Sequence, residues 1–447
     1  MLLRYSVENF LSYKDENTLE MLASEEEKRE RHIIDIDGIE ALRCAAIYGG
    51  NSSGKSNFIK SIDFARNIIV NGIKSGKRIP VQAFKLEDDK FDKPSKFQFV
   101  IYNCGSMYDY GFSLNNEKIL EEWLYLLKDD SEIPLFERTT NKDGETKIII
   151  YEDLAKEGTK EHFRLELIGE NLGEKQQNQL YLSKLHENNK NKIVDPVYDW
   201  FEKLNIMYPH TKDDILEIKS MRNKRFLSFL STLLKRLDTS IEEIKFIKKK
   251  FDINELYIDL PQPVKEDILE SVNNLEDSAF VSFGMQNQRF IVTKENNEPK
   301  ILKLMTQHVK NNNDKINFEI TEESEGTQRL FDLLPVIFNL YYNNRVYIID
   351  EFDRSLHTLL TRNLLEFVLE NLPDSNRSQI IFTTHDTNVM DLLRHDEIWL
   401  VQKKKNSSEL YSINDFDLKD NLSIVKGYLN GRFGGTPLIK NVREEDL

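Results

Sequence analysis

The segment AAIYGGNSSGKS, Ala45 to Ser56, runs a hydrophobic strand directly into a glycine-rich loop. Gly49, four residues, then Gly54-Lys55-Ser56 is the spacing of a phosphate-binding loop. Downstream, Phe58, Ile59, Ile62, Phe64, Ala65, Ile68 and Ile69 recur at helical period. Strand, loop and helix in that order confine this part of the chain to an α/β architecture. The helix start adds unpaired amides aimed at the same anion.

The loop assigns chemistry residue by residue. Gly49 and Gly54 let the backbone curl around phosphate oxygens, and Asn51, Ser53 and Asn57 complete the nucleotide-binding set. Lys55 reaches the terminal phosphates, and the Ser56 hydroxyl is a ligand for Mg2+. Far downstream, the strand-like RVYIID ends on Asp350, followed by Glu351. Carboxylates at the carboxyl end of a buried parallel strand lie where such folds bind ligands. Asp350 is therefore assigned to hydrated Mg2+ and Glu351 to the attacking water. His385, after the strand QIIFTT, is assigned as a γ-phosphate sensor. Ser324 and Gly326, just ahead of an amphipathic helix, form a second anion site, although a helix N-cap explains them equally well.

The chain has 447 residues and a formal charge of -15, with 39% hydrophobic and 31% charged residues. That length predicts two or three structural units. The acidic balance excludes a general polyanion binder, leaving nucleic acid only as an alternative for a local patch such as Lys248–Lys250 or Lys403–Lys405. No run of about 20 apolar residues appears, so no membrane span is expected. Cys44 and Cys104 lie in apolar, strand-like text and are read as buried free thiols of a cytoplasmic protein.

Alternation predicts strands over 2–10, 96–103, 108–115 and 119–127, with a hairpin around Asp143-Gly144. Helical text covers 180–186, 219–237 and 325–342. The last third reads as doubly wound α/β: strand 345–350, helix 355–372, strand 379–384, helix 388–394 and strand 397–402.

Together RYSVENFLSY, GGNSSGKSN, ESEGTQRL, VYIIDEFDRSLH, IFTTHD and YLNGRFGGTP resemble the ATP-binding-cassette type of ATPase head in the SMC, Rad50 and RecF group. The nearer resemblance is to prokaryotic AAA15-like proteins, the RloA-type and abortive-infection AbiL-type ATPases. It covers roughly 1–125 and 315–437. The resemblance implies an α/β P-loop head with an antiparallel β lobe and an inserted, mainly helical subdomain. The expected divisions are an N-terminal lobe (1–170), a projection (171–314) and a C-terminal lobe (315–447).

By the same resemblance, Gly49–Ser56 is the Walker A loop and Asp350-Glu351 the Walker B pair. Ser324-Glu325-Gly326 stands at the signature, with Glu323 replacing the usual leucine. Asp353–His357 corresponds to the D-loop and His385 to the switch histidine. A Mg2+-sensing glutamine is also implied; Gln82 is preferred over Gln98. Asn9, Phe10 and Arg432 lie in shared motifs and have structural explanations as well.

The resemblance implies a Mg2+-dependent ATPase whose two heads close on ATP as a homodimer, with a higher oligomer as an alternative. It further implies a sensor or regulator of anti-phage defence. The effector is expected on a separate chain, a Toprim-type nuclease being one candidate, because none follows GRFGGTP. A DNA-binding repair ATPase and a nucleotide-stabilised scaffold are the alternatives.

Overall fold

A computed structural model describes residues 1–25, 29–87, 93–128, 131–188, 191–210, 223–237, 239–253, 261–277, 279–285, 288–418 and 423–436. Two compact units emerge. The first comprises Met1–Pro209, Leu340–Asp353 and Thr361–Leu447, and the second His210–Asn339 and Arg354–Leu360.

Two sheets build the first unit. One is antiparallel and seven-stranded, in the order Thr146–Ile150, Ser131–Thr140, Ile119–Lys128, Ser106–Leu114, Ser95–Asn103, Leu2–Glu8, Asn17–Glu20. The other runs Asn205–Met207, Val346–Ile349, Gln379–Thr383, Cys44–Gly49, Ile398–Lys404, Ser407–Ser412. Its first five strands are parallel and the last is antiparallel. The three central parallel strands are buried along their length, which is why IYG, VYII and QIIFT carry no polar alternation.

Aromatic residues join the sheets to the helix Lys55–Asn71. Tyr5 meets Phe58 at 5.4 Å and Phe99 at 4.6 Å, in the offset geometry that ring quadrupoles favour. Gln379 adds a polar tie. Its buried amide accepts from the Leu2 N–H at 2.7 Å and donates to the Leu2 and Leu42 carbonyls at 2.9 Å each. A buried ion pair fastens the helix Tyr181–Asn188. Glu122, 3.6 Å from Arg138, accepts from the amides of Tyr181 and Leu182. The carboxylate thereby satisfies donors that a helix start leaves open.

The second unit has an antiparallel sheet in the order Glu243–Lys250, Glu298–Val309, Gln288–Glu295, Phe280–Met285, with Lys315–Glu319 also paired to Glu298–Val309. Helices Lys224–Arg236 and Gln262–Asn273 accompany it. Phe251, Ile253, Ile268, Val272, Val292 and Ile301 form a core of its own. Phe226 and Phe338 pack edge-to-face at 4.9 Å.

Four expectations change. The compact units divide elsewhere than at 171 and 315: helices Tyr181–Asn188 and Asp195–Lys203 belong to the first unit, while Ser324–Gly326 belongs to the second. The insertion is mixed rather than mainly helical, because the runs 243–250 and 298–309 are strands that pair antiparallel. The helix expected at 388–394 is a 3-10 turn, Thr387–Leu392, capped by Asp386. Cys44 is buried, with its thiol pKa pushed well up by burial, but Cys104 is exposed at a turn with φ 51°. Residues 219–222 of the expected helix 219–237 lie outside the described residues.

Candidate functional site: a phosphate loop facing an acidic strand end

Strands Val346–Ile349, Gln379–Thr383 and Cys44–Gly49 are consecutive in the parallel sheet. Their carboxyl ends deliver Asp350 and Glu351, Thr383 and His385, and the glycine loop side by side. Register fixes this: Ile349 lies opposite Phe382, and Thr383 opposite Ile47.

Within the loop, Gly49 and Gly54 are needed for different reasons. A Cβ on Gly49 would lie 2.5 Å from the Val401 carbonyl oxygen. Gly54 has φ +122°, and a Cβ there would lie 2.2 Å from Ser408 Oγ. The Lys55 ammonium is buried and donates to the carbonyls of Gly49 at 2.8 Å and Gly50 at 3.3 Å. Burial lowers its pKa, while Asp350, Asp353 and Glu351 oppose that shift. Ser53 is buried with no partner for its Oγ. This orphaned donor, the curled glycines and the inward lysine fit a phosphate group. Asn51 is exposed, and Asn57 donates to Ser12 Oγ at 2.9 Å, so its amide braces the loop from behind.

Asp350 is buried, and Thr383 Oγ1 donates to it at 2.6 Å. Glu351 has φ 51°, a conformation seldom taken by residues other than glycine. Its amide is secured by donation to Thr383 Oγ1 at 2.8 Å. No group of three or more His, Cys, Asp or Glu side chains among the described residues converges as a metal cage. Ser56 and Asp350 alone suit Mg2+, which keeps several waters and takes further oxygens from substrate phosphates.

His385 is exposed, and its backbone amide donates to Asp353 Oδ2 at 3.3 Å. Partial burial first, then the nearby Lys55 charge, hold its imidazole below the ordinary histidine pKa. Asp353 Oδ1 is buried without a partner. The structure thus brings together Lys55, Asp350, Glu351, Asp353 and His385.

Gln82 lies beside Tyr208, whose hydroxyl pKa is raised first by burial and in part by Asp350. Gln82 is exposed and shares a ≈510 Å3 cavity with Phe10, Lys60, Asp63 and Tyr208, and its carbonyl accepts from Leu11 at 2.8 Å. Gln98 is engaged elsewhere, donating to both oxygens of Asp109. Asn9 is buried at φ 52°; its side chain donates to the Lys93 carbonyl and accepts from Phe84 N–H, an anchoring role. Arg432 lies over the Phe433 ring at 5.9 Å.

In the second unit, Ser324 Oγ accepts from the Thr327 amide at 3.2 Å, so the N-cap role is fulfilled. A Cβ on Gly326 would lie 2.9 Å from the Ser355 carbonyl oxygen. The segments 324–326 and 353–357 therefore touch there. Glu323, where an apolar residue was expected, is tied by His308 Nε2 at 2.8 Å and by Thr306 Oγ1.

Three supporting residues escaped the sequence reading. Ser408 Oγ donates to the Ser53 carbonyl at 2.6 Å, Ser12 meets Ser408 at 2.8 Å, and Tyr13 donates to the Gly54 carbonyl at 3.1 Å. They back the loop from both ends of the chain. SY within RYSVENFLSY was the one available signal.

No curated protein gives a sequence match. Among solved structures, the SMC head domain from Thermotoga maritima is 13% identical, with a TM-score of 0.39, covering 93% of this chain and 99% of that one. An SMC head bound to the C-winged helix domain of ScpA is likewise 13% identical, with a TM-score of 0.44, covering 95% of this chain and 99% of that one. Residues 44–391, well over half the chain and including the loop, Asp350 and His385, match one family. The chain belongs to the family described as AAA domain, putative AbiEii toxin, Type IV TA system.

Proposed function

We propose that the protein is a Mg2+-dependent ATPase acting as a conformational switch. The observation that carries this reading is the convergence of Lys55, Asp350, Glu351 and His385 at three adjacent strand ends. Lys55 exchanges its contacts with the Gly49 and Gly50 carbonyls for phosphate oxygens. The partnerless Ser53 hydroxyl and the helix-start amides add donors. Ser56 and Asp350 hold Mg2+, which when bound neutralises phosphate charge. Glu351, its backbone pinned by Thr383, orients the water. His385 accepts or donates at the γ-phosphate.

Completion of the site needs a second copy. Ser324 and Gly326 of one head meet the γ-phosphate of the other, so closure of a homodimer excludes water and reports ATP occupancy. Gln82, on a cavity wall with Lys60 and Asp63, is the preferred Mg2+-sensing glutamine. The AbiEii and toxin–antitoxin description of the family supports a defence role of the RloA or AbiL kind, with a separate effector chain.

Paired variants test the proposal. Lys55→Ala is expected to abolish ATP binding by calorimetry. Glu351→Gln is expected to retain ATP, lose turnover and accumulate as an ATP-dependent dimer in size-exclusion chromatography. Equal loss of ATP binding in both would overturn the role given to Glu351, and turnover by Lys55→Ala would overturn the site itself.

A further inference from the structure

The amino-terminal edge of the parallel sheet, opposite the phosphate loop, carries a second concentration of charge. Lys203 lies two residues ahead of the strand Asn205–Met207, Arg345 one ahead of Val346–Ile349, and Arg377 two ahead of Gln379–Thr383. These strands are consecutive neighbours, about 4.8 Å apart as hydrogen-bonded strands are. Two hydrogen bonds hold the register at this end: the Arg345 amide donates to the Ser378 side-chain Oγ at 3.0 Å, and the Gln379 amide to the Arg345 carbonyl at 3.0 Å.

The three cations line one ≈190 Å3 cavity, whose walls include Tyr102, Asn103 and Trp200 and no carboxylate. In a chain of net charge -15 such a lining is notable. Lys203 reaches Asp199 only at 3.8 Å in an exposed pair, and Arg377 lies over the Tyr102 ring at 5.5 Å. Trp200 is 5% exposed, and its indole N–H has no hydrogen-bond partner. The Trp200 side chain lines the cavity but its N–H is sealed from solvent, so an anion there is held by the three cations. The cavity is smaller than the roughly 300–1,000 Å3 of sites for drug-sized molecules.

We propose that this pocket, formed by Lys203, Arg345, Arg377 and Trp200, binds a phosphate-sized oxyanion, either free or as the end group of a small phosphomonoester. Guanidinium groups suit it through their forked, charge-assisted hydrogen bonds. The site is separate from the phosphate loop and stands whether or not that loop hydrolyses ATP.

The test uses the full chain carrying Lys55→Ala, so that the loop does not contribute. Inorganic phosphate is titrated against sodium chloride of equal ionic strength, reading the tryptophan emission that Trp200→Phe removes. A saturable change is expected, with the apparent Kd raised about tenfold or more by Arg345→Gln with Arg377→Gln. Adenosine monophosphate forms a second arm: tighter binding than phosphate assigns a phosphomonoester, and equal binding assigns the free ion. The exposed Lys203→Gln variant, expected to weaken binding severalfold, covers a double variant that fails to fold. Absence of a saturable response, or an unchanged Kd in every folded variant, would overturn the proposal.

Discussion

The Thr383 hydroxyl donates to the Asp350 carboxylate at 2.6 Å, across two adjacent parallel strands. The same oxygen accepts the Glu351 amide. One threonine thus orients the Asp350 carboxylate, the proposed Mg2+ ligand, and holds the strained backbone of its neighbour.

Thr383→Val keeps the shape and removes both bonds. An amide left without its acceptor costs about 1–3 kcal/mol. The expected outcome is a modest loss of stability, and ATP turnover reduced about tenfold with a raised Mg2+ requirement. A phosphate-release assay across a Mg2+ series checks this.

His385 supplies a pH signature. Its folded pKa lies below the ordinary value of 6.5, so the unfolded chain takes up the proton first as pH falls. Its contribution to stability is therefore full above pH 6.5 and is lost as pH drops through the folded value. Lys55→Ala removes a positive neighbour and is expected to raise the His385 pKa toward 6.5. An NMR titration of the ring protons reads the shift.

Glu122→Ala strips the buried Arg138 of its counter-charge and leaves the Tyr181 and Leu182 amides unpaired. Breaking one side of a buried pair costs about 3–5 kcal/mol. Denaturant unfolding should show an earlier transition, although the residue is remote in role from the phosphate chemistry.

Gly326→Ala brings a methyl group against the Ser355 carbonyl. Overpacking of this kind costs about 1–3 kcal/mol. On the dimer reading, the variant binds ATP normally while losing turnover and ATP-dependent dimerisation. Calorimetry beside a turnover assay separates these effects.

The strand–loop–helix around Lys55, the strand before Asp350 and the antiparallel run 96–127 were legible because each is written in local text. Period, glycine spacing and turn residues all lie within a few positions. The bracing of the loop was not. Ser408 reaches Ser12 and Ser53 through a bond between distant segments, and isolated serines carry no periodic signal. Cys104 misled because its neighbours alternate as a strand, whereas it sits with Gly105 in the turn joining two of them, both at positive φ. At Glu323 the sequence showed a departure, but only the fold identified His308 and Thr306 as its partners.

The chain leaves the first unit just after Pro209 and again just after Asp353. Met207, two residues before the first exit, accepts the Asp350 amide at 2.8 Å, and Asp353 at the second exit receives the His385 amide. The two segments at which the chain leaves this unit are therefore held by the same few hydrogen bonds that shape the acidic strand end, so a substitution that loosens the backbone at Asp350 or Asp353 also loosens an exit.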